Sequence, residues 1–130
     1  EAVVVHPVRP AHWGISLSLQ RKARFNALLY KKHPRHYRAR IQRRPPIRYY
    51  FQALALIFAG VAALRGGRGL SVQFLLFWAL LTAEFCARRL SGSSLNPSHV
   101  LEMIVTSALI PFFSIYWRLR GAWEFRVLFF

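Results

Sequence analysis

Eleven of the chain's 19 lysines and arginines fall between Ser16 and Tyr50: Arg21, Lys22, Arg24, Lys31, Lys32, Arg35, Arg38, Arg40, Arg43, Arg44 and Arg48. No acid interrupts them. Cationic groups at this density hold anions, and arginine can grip a phosphate bidentately. Phe25, Tyr30, Tyr37, Tyr49 and Tyr50 are interleaved, which would also suit backbone contact and base stacking on a nucleic acid. The apolar run that follows at once opposes the nucleic-acid reading, since no soluble binder of this size needs one, and leaves it, with a small stand-alone membrane scaffold subunit, as the alternative. Anionic lipid is the favoured partner, and Lys31, Lys32, Arg35, Arg38, Arg40, Arg43, Arg44 and Arg48 are its candidate contacts.

Catalytic groups are scarce. The four acids are Glu1, Glu84, Glu102 and Glu124, and there is no Asp, so no Asp-x-Asp pair exists for a divalent ion. No Ser-His-acid set has a workable spacing. Gly66, Gly67 and Gly69 lie between apolar stretches, where a turn explains them better than a phosphate cradle. His33 and His36 are three apart across Pro34 with no carboxylate beside them, and His6 and His12 flank a proline-rich connector, so no metal site is expected. Cys86 stands alone. Glu84 is the one acid within a long apolar run; Arg88, four residues on, makes an interfacial ion pair the favoured role.

Stepping from residues to elements, the chain has 130 residues, a net charge of +15 and yet 55% hydrophobic residues. Charge and apolarity are sorted into blocks, as in a membrane protein with a basic cytoplasmic face. Residues 1–15, with Val3–Val5 suited to a strand end, read as a connector. Residues 16–48 read as basic juxtamembrane helices. The first would be capped by Ser16 or Ser18 and run to about His33, with Ile15, Leu19, Phe25, Leu28 and Leu29 on its apolar face. Pro34 would open the second, and Pro45-Pro46 would stop it and leave Ile47 extended. Residues 49–87 read as a transmembrane hairpin, Tyr49–Leu64 and Leu70–Ala87, turned at 65–69. Residues 88–98 form a loop.

Residues 99–130 change character. His99, Glu102, Thr106, Ser107, Ser114 and Arg118 fall within an arc of roughly 160° at helical spacing, opposite a broad apolar face. Met103, Ile110, Phe113 and Trp117 intrude on the polar arc, and Pro111 should kink the helix. Such a segment lies in the interface or re-enters, with His99, Glu102, Thr106 and Ser107 as its interfacial polar face. The positive-inside rule agrees: a hairpin plus an interfacial segment keeps Arg88, Arg89, Arg118, Arg120 and Arg126 on one side. Trp123, Phe125, Phe129 and Phe130 read as membrane anchors. The expected fold is therefore all-α: a membrane hairpin, juxtamembrane basic helices and an interfacial or re-entrant amphipathic helix.

The stretches HPVRPAHWGISLSLQRKARFNALLYKKHPRHYRARIQ and HVLEMIVTSALIPFFSIYWRLRGAWEFRVLFF resemble the C-terminal membrane region of bacterial family 2 glycosyltransferases; FNALLYKKHP and EMIVTSALIP are the most specific phrases. The resemblance implies an upstream GT-A type α/β domain that binds a nucleotide sugar and Mg or Mn through Asp-x-Asp. It also implies a lipid-linked or glycan acceptor and a multi-pass place in the inner membrane, with the N-terminal side cytoplasmic. Relatives carry Gln-x-x-Arg-Trp before the membrane helices. Here Gln20 is followed by Arg21, Lys22, Ala23, Arg24 and Phe25, so the arginine stands one place late and Phe replaces Trp. Gln20, Arg21 and Arg24 are the matching substrate-proximal candidates. The chain alone carries no catalytic carboxylate set and would be inactive.

Overall fold

A hairpin of two apolar helices sets the architecture. Helix α4 runs Ile47–Leu64 and α5 runs Arg68–Leu90, both longer than the uncharged stretches because Ile47 and Arg48 extend α4 while Arg68, Gly69 and Arg88–Leu90 extend α5. A proline restricts the residue before it; Ile47 follows Pro46 and is free to enter α4, so it is helical where an extended residue was expected. The buried stripe of α4 is Gln52, Ala55, Ala59 and Ala62. Small residues let the two backbones approach, as in membrane helix pairs, and the Ser71 hydroxyl donates to the Ala59 carbonyl across the seam at 2.9 Å. Large apolar side chains point outward instead: Ile57 is 57% exposed, Leu76 65% and Leu80 67%. Bulky apolar groups outside and small or polar ones inside suit lipid, not water. The turn between the helices is closed by Gly66 in the left-handed region, φ 77°.

The computed structural model describes residues 12–93 and 95–129; the expectations for Val3–Val5, His6 and Phe130 lie outside them. Before the hairpin come α1 (Ile15–Leu19), a 3₁₀ turn (Gln20–Arg24), α2 (Phe25–Lys32) and α3 (Pro34–Arg40). The single helix expected to reach His33 is thus broken in two by the 3₁₀ turn. Gly14, with φ 75°, rather than a serine stands at the N-cap of α1. Pro34 does open α3. Among the described residues there is no strand.

After the hairpin, Asn96 caps α6 by accepting from the Ser98 amide at 3.1 Å, and α6 runs unbroken from Pro97 to Glu124 through Pro111. By length and hydropathy α4, α5 and α6 are each able to cross a membrane. The faces of α6 are inverted relative to a soluble helix. Thr106, Ser107, Ser114 and Arg118 are buried together with Met103 and Ile110, while Leu101, Ile104, Tyr116, Leu119 and Trp123 are exposed. The polar arc is turned into the protein and not toward headgroups or water, which also explains why Met103 and Ile110 sit within it.

The basic segment is packed along this inward face. Gly14 N–H donates to Glu102 Oε1 (2.7 Å), Arg21 lies over the Trp117 ring (5.8 Å) and Arg24 reaches Glu124 at 4.0 Å. The tail then folds back on α2 and α3: Phe129 is 1% exposed and meets Tyr30 and Tyr37, with Ala27 and Ala122 completing the cluster. Phe129 is a core residue, not a lipid anchor. The apolar set Ile15, Leu19, Phe25 and Leu29 is exposed, and Ala27 is the residue α2 buries.

The closest approach is at Gly121, where a Cβ would stand 2.3 Å from the Arg24 carbonyl oxygen and 2.8 Å from its Cα. Backbone cannot yield as a side chain can. Gly121→Ala should therefore lower stability by about 1–3 kcal/mol, read as a drop in unfolding temperature in detergent together with faster proteolysis of α2–α3. An unchanged unfolding temperature would contradict this packing.

Candidate functional site

Arginines converge at the end of the hairpin where α4 begins and α5 ends. A cavity of about 560 Å³ opens there, lined by Arg44, Pro45, Pro46, Ile47, Arg48, Tyr49, Phe85, Arg88 and Arg89. The two prolines stiffen the approach to α4 and carry Arg44 to the rim. Tyr49 and Phe85 pack edge to face, centroids 5.5 Å apart, beneath the charges. Glu84 Oε1 receives Arg48 at 2.7 Å and Arg88 at 3.3 Å. The expected Glu84–Arg88 pair is present, and Arg48 from the neighbouring helix makes it a triad. Against these four arginines stands a single carboxylate.

Arg89 turns away from that triad toward α6. Its Nη1 donates to Thr106 Oγ1 at 2.7 Å and Ser107 Oγ at 2.9 Å, and its Nη2 to Ser16 Oγ at 3.2 Å. The Phe85 ring faces the guanidinium at 5.6 Å. Three hydroxyls from α1 and α6 thus solvate one cation, the planar fork reaching both elements at once. Thr106 in turn donates to the Glu102 carbonyl at 2.6 Å. His99 Nδ1 lies 3.8 Å from Glu102 Oε2, so that carboxylate faces both Gly14 and His99.

Arg118 is a second inward arginine, only 4% exposed. It donates to the Gln42 side chain, which also receives the Tyr37 hydroxyl, and it lies 5.2 Å from the Phe129 ring. Gln42 stands two residues before Arg44, on the segment that leads into α4. Ser107 and Arg118 are eleven residues apart, about 16 Å along a helix axis, yet both meet this same end of the hairpin. Helix α6 therefore meets the mouth of the hairpin at two points, through Thr106 and Ser107 to Arg89 and through Arg118 to Gln42. Toward the apolar part, Gln52 is 2% exposed and gives one bond to Thr82 (3.4 Å), and its Oε1, with the Tyr50 hydroxyl and Trp78 Nε1, is buried without a partner.

The expected contact residues divide into groups. Arg44 and Arg48 line the cavity. Lys31 donates to the Phe125 carbonyl (2.9 Å), and Arg38 donates to the Phe129 carbonyl (3.2 Å) while stacking on Tyr30, so these two hold the tail. Lys32, Arg35, Arg40 and Arg43 are exposed. Gln20 bonds back to the Ser16 carbonyl (3.1 Å), and with Arg21 and Arg24 it sits against the far part of α6, outside the cavity. Sequence reasoning paired Arg88 with Glu84 and used Arg89 only as a topology marker, and missed their convergence with Arg44 and Arg48. The signal available was the polar arc of α6, which needed an internal partner. A hollow of about 590 Å³ beneath the tail is lined mainly by apolar groups with Arg126 alone charged. Among the described residues no group of His, Cys, Asp or Glu is placed to hold a metal. No family model matches the chain, and neither a curated protein nor a solved structure matches it.

Removing the Arg89 clasp would strand the Ser107 hydroxyl and free α6 from α5. Arg89→Ala should cost about 1–3 kcal/mol, measured by unfolding in detergent, and Arg89→Lys should restore only part of it, since an ammonium lacks the two-sided fork. Wild-type stability in Arg89→Ala would show the clasp to be idle.

Proposed function

We propose that this chain is the membrane-anchoring part of a bacterial family 2 glycosyltransferase, which moves a sugar from a nucleotide-sugar donor to a lipid-linked or glycan acceptor. The reading is supported by the resemblance of its two most specific phrases, FNALLYKKHP from α2 into the start of α3 and EMIVTSALIP on α6, to that family. The observation that carries it is the docking of the basic segment along α6 at the mouth of the hairpin. A catalytic domain joined ahead of Gly14 would be held rigidly at the bilayer surface, within reach of acceptors that cannot leave it. Orientation follows the charge rule: the arginine-rich mouth faces the cytoplasm of the inner membrane and the 65–69 turn faces the periplasm.

In this arrangement catalysis belongs to an upstream GT-A type domain, whose Asp-x-Asp pair would hold Mg or Mn and orient the donor diphosphate. The residues of this chain bind, orient and exclude water. Gln20, Arg21 and Arg24 form the 3₁₀ turn on the face from which that domain would approach. Membranes from cells expressing the whole gene product should transfer label from a nucleotide sugar into extractable lipid or membrane-bound glycan, above control membranes. Gln20→Ala or Arg24→Ala should lower that turnover more than membrane retention. No transfer from any of a panel of UDP-, GDP- and CMP-sugars would overturn the reading.

A further inference from the structure

The mouth of the hairpin holds more positive charge than its own acids balance. Arg48 and Arg88 share Glu84, and Arg89 is committed to the hydroxyls of α1 and α6. Arg44 makes no hydrogen bond or ion pair among the described residues, yet it lines the same cavity. Four guanidinium groups against one carboxylate leave an excess of three positive charges around a hollow of about 560 Å³. Its floor is not polar: Tyr49, Phe85 and the two prolines supply it.

We propose that this cavity binds the phosphate of an anionic membrane lipid, a phosphomonoester or diphosphate headgroup. Three features select that ligand. Arginine forks match phosphate oxygens, and the excess charge favours a group with two negative charges over a zwitterion. The volume exceeds what one phosphate fills and leaves room for the glycerol or first carbons of the lipid over the aromatic floor. The cavity also opens at the first turn of α4 and the last turn of α5, the depth at which headgroups lie when those helices cross a bilayer. Glu84 has a defined part: it extends Arg48 and Arg88 toward the cavity and competes with the incoming phosphate for them. The assignment rests on the membrane placement proposed above and not on the transferase reading, since it concerns binding and needs no sugar transfer.

Native mass spectrometry of the protein in zwitterionic detergent, titrated with phosphatidic acid or phosphatidylcholine, tests it directly. Phosphatidic acid should be retained and phosphatidylcholine not. Arg44→Gln, at a side chain the fold does not use, should weaken phosphatidic acid binding about tenfold. Glu84→Gln should tighten it by removing the competing carboxylate. Arg65→Gln combined with Arg68→Gln removes more charge from the exposed turn at the opposite end of the hairpin and should leave binding unchanged. Equal loss in that double variant would assign binding to diffuse surface charge and overturn the site. Equal retention of the two lipids, or inorganic pyrophosphate binding as tightly as phosphatidic acid, would overturn the lipid headgroup as its ligand. A protein that stays dispersed without detergent would refute the membrane placement itself, independently of which residues bind phosphate.

Discussion

The structure depends on a cation solvated by hydroxyls. Arg89, at the end of a membrane-type helix, is held by Thr106, Ser107 and Ser16. Withdrawing a charge even partly from water is costly without compensation, and several hydrogen bonds of good geometry are what make it tolerable for the half-buried Arg89. Because Thr106 and Ser107 lie one after the other on α6 and Ser16 lies on α1, satisfying this one guanidinium fixes α5, α6 and the basic segment together. Arg118 repeats the device toward the other end of α6 through Gln42. Two arginines thus pin α6 to the mouth of the hairpin, while Ile104 and Ala108 share a hollow with α5 between Trp78 and Leu90.

The inversion of α6 follows from the same constraint. Its polar arc faces the protein because the arginines are there, which leaves Leu101, Ile104, Tyr116 and Leu119 on the outside. In water that surface would be a liability; against acyl chains it is the expected one. The same sorting holds in α4 and α5, where alanine and serine face the seam and leucine, isoleucine and phenylalanine face outward. Each helix is therefore inside-out by the standard of a soluble protein, and the excess cationic charge is gathered at the one edge where lipid phosphates would meet it.

Much of this was legible in the residues. The hairpin followed from two uncharged runs around a glycine-rich turn, and the start of α3 followed from Pro34. The Glu84–Arg88 pair followed from their spacing, and the polar arc of α6 was visible as periodicity. What periodicity cannot give is the partner of a face. An arc of Thr, Ser and Arg reads the same whether it meets water or a neighbouring arginine, so its inward turn was missed. The burial of Phe129 was missed for a related reason: an aromatic near a chain end next to single charges reads as an anchor. Only the placement of Tyr30 and Tyr37 across α2 and α3 shows it to be core. The arginine cavity escaped because its members come from two segments far apart in the chain, 44–49 and 85–89, each of which looked like an ordinary membrane flank.

The central claim is the proposed topology, in which α6 keeps its end on the same side of the membrane as its beginning and that side is the cytoplasm. Single cysteines at Ser93, Arg120 and Gly69, placed in a Cys86→Ser background and probed with a membrane-impermeant maleimide in oriented vesicles, measure this directly. The account predicts that Ser93→Cys and Arg120→Cys react from the cytoplasmic side and Gly69→Cys from the opposite side. Reaction of Arg120→Cys from the same side as Gly69→Cys would mean that α6 crosses the bilayer, and would contradict the account.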